Sequence, residues 1–128
     1  MILALKTDSD PVEIYLLDEV GEKVLREKKW RAERTLAKNL LNEIQILLGG
    51  NFKQLTGLII FSGPGSFTGL RIATAVVNTI AYSEGISVVG VDGDDWLKDG
   101  AKKLSNGEND KIVVPNYGRD ANITKPKK

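Results

Sequence analysis

The sequence contains no cysteine and no histidine. The first absence excludes disulfide staples, a thiol nucleophile and thiolate metal ligands. The second removes the commonest general base and the commonest metal ligand together. Hydroxyl nucleophiles activated by histidine and zinc sites of the usual kinds are therefore excluded. Neither sign of charge dominates, since 18 lysines and arginines stand against 17 acidic residues for a net charge of +1. That balance is not the footprint of an autonomous nucleic-acid binder. The opening apolar stretch is cut short by Lys6 and Asp8, so the reading predicts no signal peptide, no membrane span and a cytoplasmic location. What is present is ordinary: 128 residues, 41% hydrophobic and 27% charged. A chain of this size supports one domain that buries on the order of two thirds of its unfolded surface.

The stretch that organises the chain is FSGPGSFTGLR, Phe61 to Arg71. An apolar run, Leu58 to Phe61, leads in, and an uncharged run, Ile72 to Ser83, leads out. The pattern predicts strand, glycine-rich turn, helix. Gly63, Gly65 and Gly69 permit positive φ or close backbone approach, and Pro64 fixes one φ. Ser66 or Thr68 is placed to cap the helix, whose first N–H groups would form an anion site. Gly63, Gly65, Ser66 and Thr68 are accordingly the candidate cofactor-binding residues. Against this, Gly69 is followed by Leu70 and Arg71 rather than by a lysine and a hydroxyl residue, so the common phosphate-loop mechanism is absent. The dinucleotide pattern also fails, with Asp92 the nearest candidate for its acidic residue. A turn that needs glycine for geometry alone stands beside the ligand reading.

Along the rest of the chain, residues 2–7, 12–17 and 22–30 read as three strands. Asp8 to Pro11 and Asp18 to Gly21 make the turns between them. The third strand carries Lys23, Arg26, Glu27, Lys28 and Lys29, a density that suits a solvated edge rather than an RNA contact. Residues 34–48 repeat Leu36, Leu40, Ile44 and Leu47 at helical spacing, with Ala37, Leu41 and Leu48 widening the stripe, Thr35 as cap and Gly49 and Gly50 as stop. Thr56 to Phe61 is a buried strand. The helix from Thr68 to Glu84 has no charge between its Arg71 and Glu84. A surface helix should show a charged side, so one face meets the core and a second is expected to meet a partner. Ser87 to Val91 is a fifth strand, and Asp92 to Asp95 open a last helix with Trp96, Leu97, Ala101 and Leu104 on its apolar side. Residues 1–104 then form the domain, and 105–128 a linker (SNGEND), a strap or small strand at Ile112 to Val114, and a basic tail ending at Lys125 to Lys128.

SGPGSFTGLR after an apolar strand resembles the TsaB (YeaZ) family, accessory subunits of the bacterial machinery that makes threonylcarbamoyladenosine in tRNA. The opening ILALKT, the strand-like VVGVD and the closing VPNYGRDANITKP support the match. The chain reads as a shortened form without most of the second domain. The resemblance implies an α/β fold of the RNase H-like kind, half of an actin-like ATPase, with a five-stranded mixed sheet in the order 3-2-1-4-5. It further implies a non-catalytic scaffold that pairs with a catalytic TsaD-like subunit, works with a TsaE-like ATPase, and touches tRNA only indirectly. ATP and magnesium then belong to the complex, with no cofactor held by this chain alone.

Read onto this sequence, the interface is Leu70, Ile72, Ala75, Asn78, Thr79 and Tyr82, together with the outer side of the helix over 35–48. The same surface would pair two copies when the partner is absent. Two departures from the family matter: Lys6 stands where an aspartate is usual, and Arg34 and Thr35 stand where a histidine is. The first leaves Asp8 and Asp10 as the local carboxylates, read as turn residues rather than magnesium ligands. The second leaves peptidase chemistry without support. The alternative reading is a nucleotide-binding domain related to actin-like kinases. A third, an RNA-contacting accessory, rests on the basic strand and tail.

Overall fold

The computed structural model describes residues 1–32, 34–65 and 67–115. Ser66 and the basic tail at Lys125 to Lys128 lie outside them. Five strands, β1 (Ile2–Lys6), β2 (Val12–Leu17), β3 (Val24–Trp30), β4 (Gly57–Phe61) and β5 (Ser87–Val91), form one sheet in the order β3-β2-β1-β4-β5. β1, β2 and β3 pair antiparallel, whereas β4 joins β1, and β5 joins β4, in parallel. Three helices, α1 (Leu36–Leu47), α2 (Phe67–Glu84) and α3 (Trp96–Ser105), cover it. This is the RNase H-like arrangement and strand order that the family resemblance implied.

The strands are apolar on both faces because both faces are covered. Successive side chains alternate across a sheet. Leu3, Leu5, Ile14, Leu16, Leu58, Ile60 and Val88 therefore meet α1 and α2 through Leu40, Ile44, Ala73 and Val77. Ile2, Ala4, Tyr15, Leu17, Ile59, Phe61, Val89 and Val91 face the other way and pack on Trp96 and Ala101 of α3. Of the stripe predicted for α1, Leu36, Leu40, Ile44, Leu47 and Leu48 are buried, whereas Ala37 and Leu41, on its flank, are exposed. Gly49 and Gly50, at φ +62° and +80°, end it, since left-handed backbone is where glycine costs least.

Three local expectations are corrected. β3 begins at Val24 rather than at residue 22, because the turn runs further. Asp18 N donates to Lys23 O, Gly21 N to Asp18 O, and Glu22 N to Asp18 Oδ1. Thr35 does not cap α1 with its side chain; its hydroxyl donates back to Ala32 O at 2.6 Å. α2 begins at Phe67, so Thr68 sits inside its first turn rather than ahead of it.

Part of the basic cluster on β3 is bound within the chain. Arg26 Nη1 donates to Leu47 O at 2.9 Å, and Lys28 Nζ lies 3.0 Å from Glu43 Oε1. Both contacts tie the edge strand to α1.

Candidate functional site

The glycine turn sits where β4 feeds α2, beside the turn joining β1 to β2. Gly63 needs its glycine for conformation, at φ +113°. Gly65 needs it for space: a Cβ there would stand 2.4 Å from Asp8 Cβ. Thr7, buried at the end of β1, donates through Oγ1 to Gly69 O at 2.8 Å. The two turns are thus packed on each other.

Lys6 Nζ holds Asp8 Oδ1 at 2.6 Å and lies 4.5 Å from the centre of the Phe61 ring. Asp10 Oδ1 accepts from Ala32 N at 3.0 Å. Asp8 is thus held within its own turn, and Asp10 ties that turn to the segment after β3. Among the described residues no three acidic side chains come together as metal ligands. A cleft of about 130 Å³ remains between Thr7, Asp10, Arg34, Thr68 and Gly69. Of the four proposed binding residues, Gly63 and Gly65 shape the turn, Thr68 lines the cleft, and Ser66 lies outside the described residues.

α2 has the two-sided character expected of it, but its outward row is narrower than the sequence suggested. Leu70 is fully buried, so it belongs to the core and not to an exposed surface. Ile72 is half-buried against the main core. Asn78 is occupied within the chain: Nδ2 donates to Val113 O at 3.0 Å, and Oδ1 accepts from Val113 N at 2.9 Å. Ala75, Thr79 and Tyr82 are exposed, and the Tyr82 side chain is 91% exposed. In the single chain neither α1 nor the strap covers this row.

Beside it runs an apolar groove of about 890 Å³ between the end of α2 (Thr79, Tyr82, Ile86) and the segment carrying Lys111 and Ile112. On α1 the outward residues Leu41 and Ile46 are exposed as well. A row of small and aromatic side chains without a charge has little to offer catalysis. It offers apolar contact area with low side-chain entropy, which is what a protein partner uses.

Two features were not legible in the sequence. Tyr15, Phe61 and Trp96 meet across the α3 face at centroid distances of 6.0 Å (Tyr15 to Trp96) and 6.1 Å (Phe61 to Trp96). They lie on three elements far apart in sequence, so no local pattern joins them. Burial, and a hydrogen bond from its hydroxyl to the Glu13 carboxylate, push the Tyr15 phenol above the usual tyrosine range. The second feature is the anchoring of the strap expected at Ile112 to Val114. Its anchors, Asn109 and Asp110, read in sequence as ordinary linker residues.

The model of the family described as "TsaD: tRNA N6-adenosine threonylcarbamoyltransferase" matches residues 30–121. The tRNA threonylcarbamoyladenosine biosynthesis protein TsaB of Haemophilus influenzae is 30% identical over 111 residues, covering 84% of this chain and 46% of its own. The structure of YeaZ from Pseudomonas aeruginosa is similar with a TM-score of 0.63 at 31% identity, over 71% of this chain and 43% of that one. A second Pseudomonas aeruginosa structure, a protein with similarity to peptidase YeaZ, gives 0.61 at 29% identity, over 71% and 42%. The chain thus spans less than half the length of these relatives.

Proposed function

The chain belongs to the TsaD (tRNA N6-adenosine threonylcarbamoyltransferase) family and to its TsaB (YeaZ) members, and from that premise we propose that it is a non-catalytic subunit in the biosynthesis of threonylcarbamoyladenosine in tRNA. It pairs with a TsaD-like catalytic subunit through the outward row of α2. The observation that carries the reading is Tyr82, 91% exposed in line with Ala75 and Thr79 on a helix that has no charge between Arg71 and Glu84. Burying such a row contributes roughly 25 cal/mol per Å² of apolar surface before the costs of association. A TsaE-like ATPase, and ATP with magnesium, belong to the assembled complex in this reading, which acts in the cytoplasm.

The test is to mix the chain with the TsaD-like subunit of the same source and follow co-elution. Ala75→Arg places a charge in the row without touching the core, so it should abolish co-elution and leave the unfolding midpoint unchanged. Retained binding by the folded variant overturns the interface. The competing nucleotide-binding reading predicts saturable ATP binding by the chain alone. On the subunit reading, calorimetry with ATP and magnesium should register no saturable heat.

A further inference from the structure

The sheet has two outer edges, and they are defended differently. β3 carries Arg26, Glu27, Lys28 and Lys29, and charges on an edge strand discourage pairing with another chain. β5 reads SVVGV, without charge or proline, and by itself is an inviting template for strand addition. Its outward backbone groups are instead taken up by the segment after α3. Val88 N donates to Asn109 Oδ1 at 3.1 Å, and Asp110 N donates to Val88 O at 2.8 Å. Gly90 N donates to Asp110 Oδ2 at 2.8 Å, and Lys103 Nζ reaches Gly90 O at 3.5 Å. Three of these four contacts use a side chain where a sixth strand would use its backbone. Lys111, at φ +65°, turns the segment out of an extended conformation. Beyond it, Val113 is buried and pinned by Asn78.

We propose that residues 109–113 are a displaceable edge cap that keeps β5 from pairing with β5 of a second copy. Two copies related by a two-fold axis must present the same strand antiparallel to itself, which is a productive ladder geometry. The Val88 and Gly90 groups now given to Asn109 and Asp110 are those that such a ladder would use. A cap held by a few partly solvated hydrogen bonds opens at lower free energy than a ladder inside the sheet. This pairing is separate from any association through α2.

Gly90 supplies a probe from beneath the cap. A Cβ there would stand 2.9 Å from Val113 Cγ1, so Gly90→Ala pushes the cap off without altering the residues that form it. The experiment uses the full chain carrying Ala75→Arg, so that association through α2 is not what is read. Amide hydrogen exchange is followed at Val88, Gly90, Val113, Leu58 and Ile60, and sedimentation velocity is run across a range of concentrations.

In the parent, Val88, Gly90 and Val113 should exchange together, through an opening below the global unfolding reported by Leu58 and Ile60. In Gly90→Ala and in Asn109→Ala/Asp110→Ala, exchange at Val88 should rise about fivefold, as loss of a hydrogen bond worth ~1 kcal/mol implies. Both variants should also form a dimer as concentration increases. Exchange of Val88 and Gly90 only in step with Leu58 and Ile60 overturns the displaceable cap; this measurement needs no cap variant to fold. Folded cap variants that keep the parent's mass at every concentration overturn the pairing.

Discussion

Single residues decide several properties of this chain against their usual tendencies. Alanine is ordinarily favoured over glycine inside a helix by about 1 kcal/mol. At Gly100 in α3, however, a Cβ would stand 2.4 Å from Ile59 Cγ2, and overpacking of this kind costs about 1–3 kcal/mol. Gly100→Ala is therefore expected to destabilise, lowering the urea midpoint. Thr7→Val keeps shape but loses the bond to Gly69 O, at a cost of about 1 kcal/mol.

Two groups give stability a pH dependence with opposite signs. Tyr15 has its phenol pushed up by burial and by Glu13. Its contribution is present below the ordinary tyrosine pKa and lost as pH rises beyond it. Tyr15→Phe should flatten the alkaline limb of the urea midpoint above about pH 10. Asp18 is held below the usual carboxylate range, first by the Glu22 N–H that donates to it. Its contribution is present above the ordinary carboxylate pKa and lost as pH falls through its own lowered one. Asp18→Asn should remove that part of the acid limb.

At the scale of elements, α1 and α2 share an apolar richness that serves different ends. In α1, Leu40 and Ile44 are fully buried and Leu41 is not. Leu40→Ala should cost about 2–5 kcal/mol in chemical denaturation, whereas Leu41→Ala should stay within about 0.5 kcal/mol. In α2 the buried residues Leu70, Ala73, Val77 and Ile80 account for the core face. The strap engages Asn78, and of the row expected at the interface Ala75, Thr79 and Tyr82 remain exposed. The glycine turn joins β4 to α2 with its glycines spent on geometry, Gly65 against Asp8 above all. An element that looks in sequence like a ligand cradle is here a close packing of two turns.

For the whole molecule, the proposal of a scaffold makes a statement about association. In isolation two copies are expected to pair through the α2 row, so light scattering of the wild-type chain should report a dimer and Ala75→Arg a monomer. A monomeric wild type at high concentration would count against that pairing. The basic residues of β3 enter the same balance. Arg26 and Lys28 are engaged with α1, which leaves fewer free cations on that edge for RNA than the sequence count suggests. No helix among the described residues is long and apolar enough to cross a membrane.

Much of the architecture was legible in the linear chain. Continuous apolar runs at 2–5, 58–61 and 87–91 marked the doubly covered strands, the stripe from Leu36 to Leu47 marked α1, and the uncharged run after Arg71 marked a helix with two apolar sides. Those are local properties, fixed by the spacing of side chains along a period of two or of 3.6. The glycine signature carried the family in the same way. Which members of the α2 row face outward depends on what crosses it: Leu70 is fully buried, and Asn78 is claimed by a backbone 35 residues away. The Asp8–Gly65 approach, the aromatic cluster on the α3 face and the capping of β5 by Asn109 and Asp110 likewise exist only once distant segments meet. Distance through space is not written in the order of residues, so these were for the tertiary structure to decide.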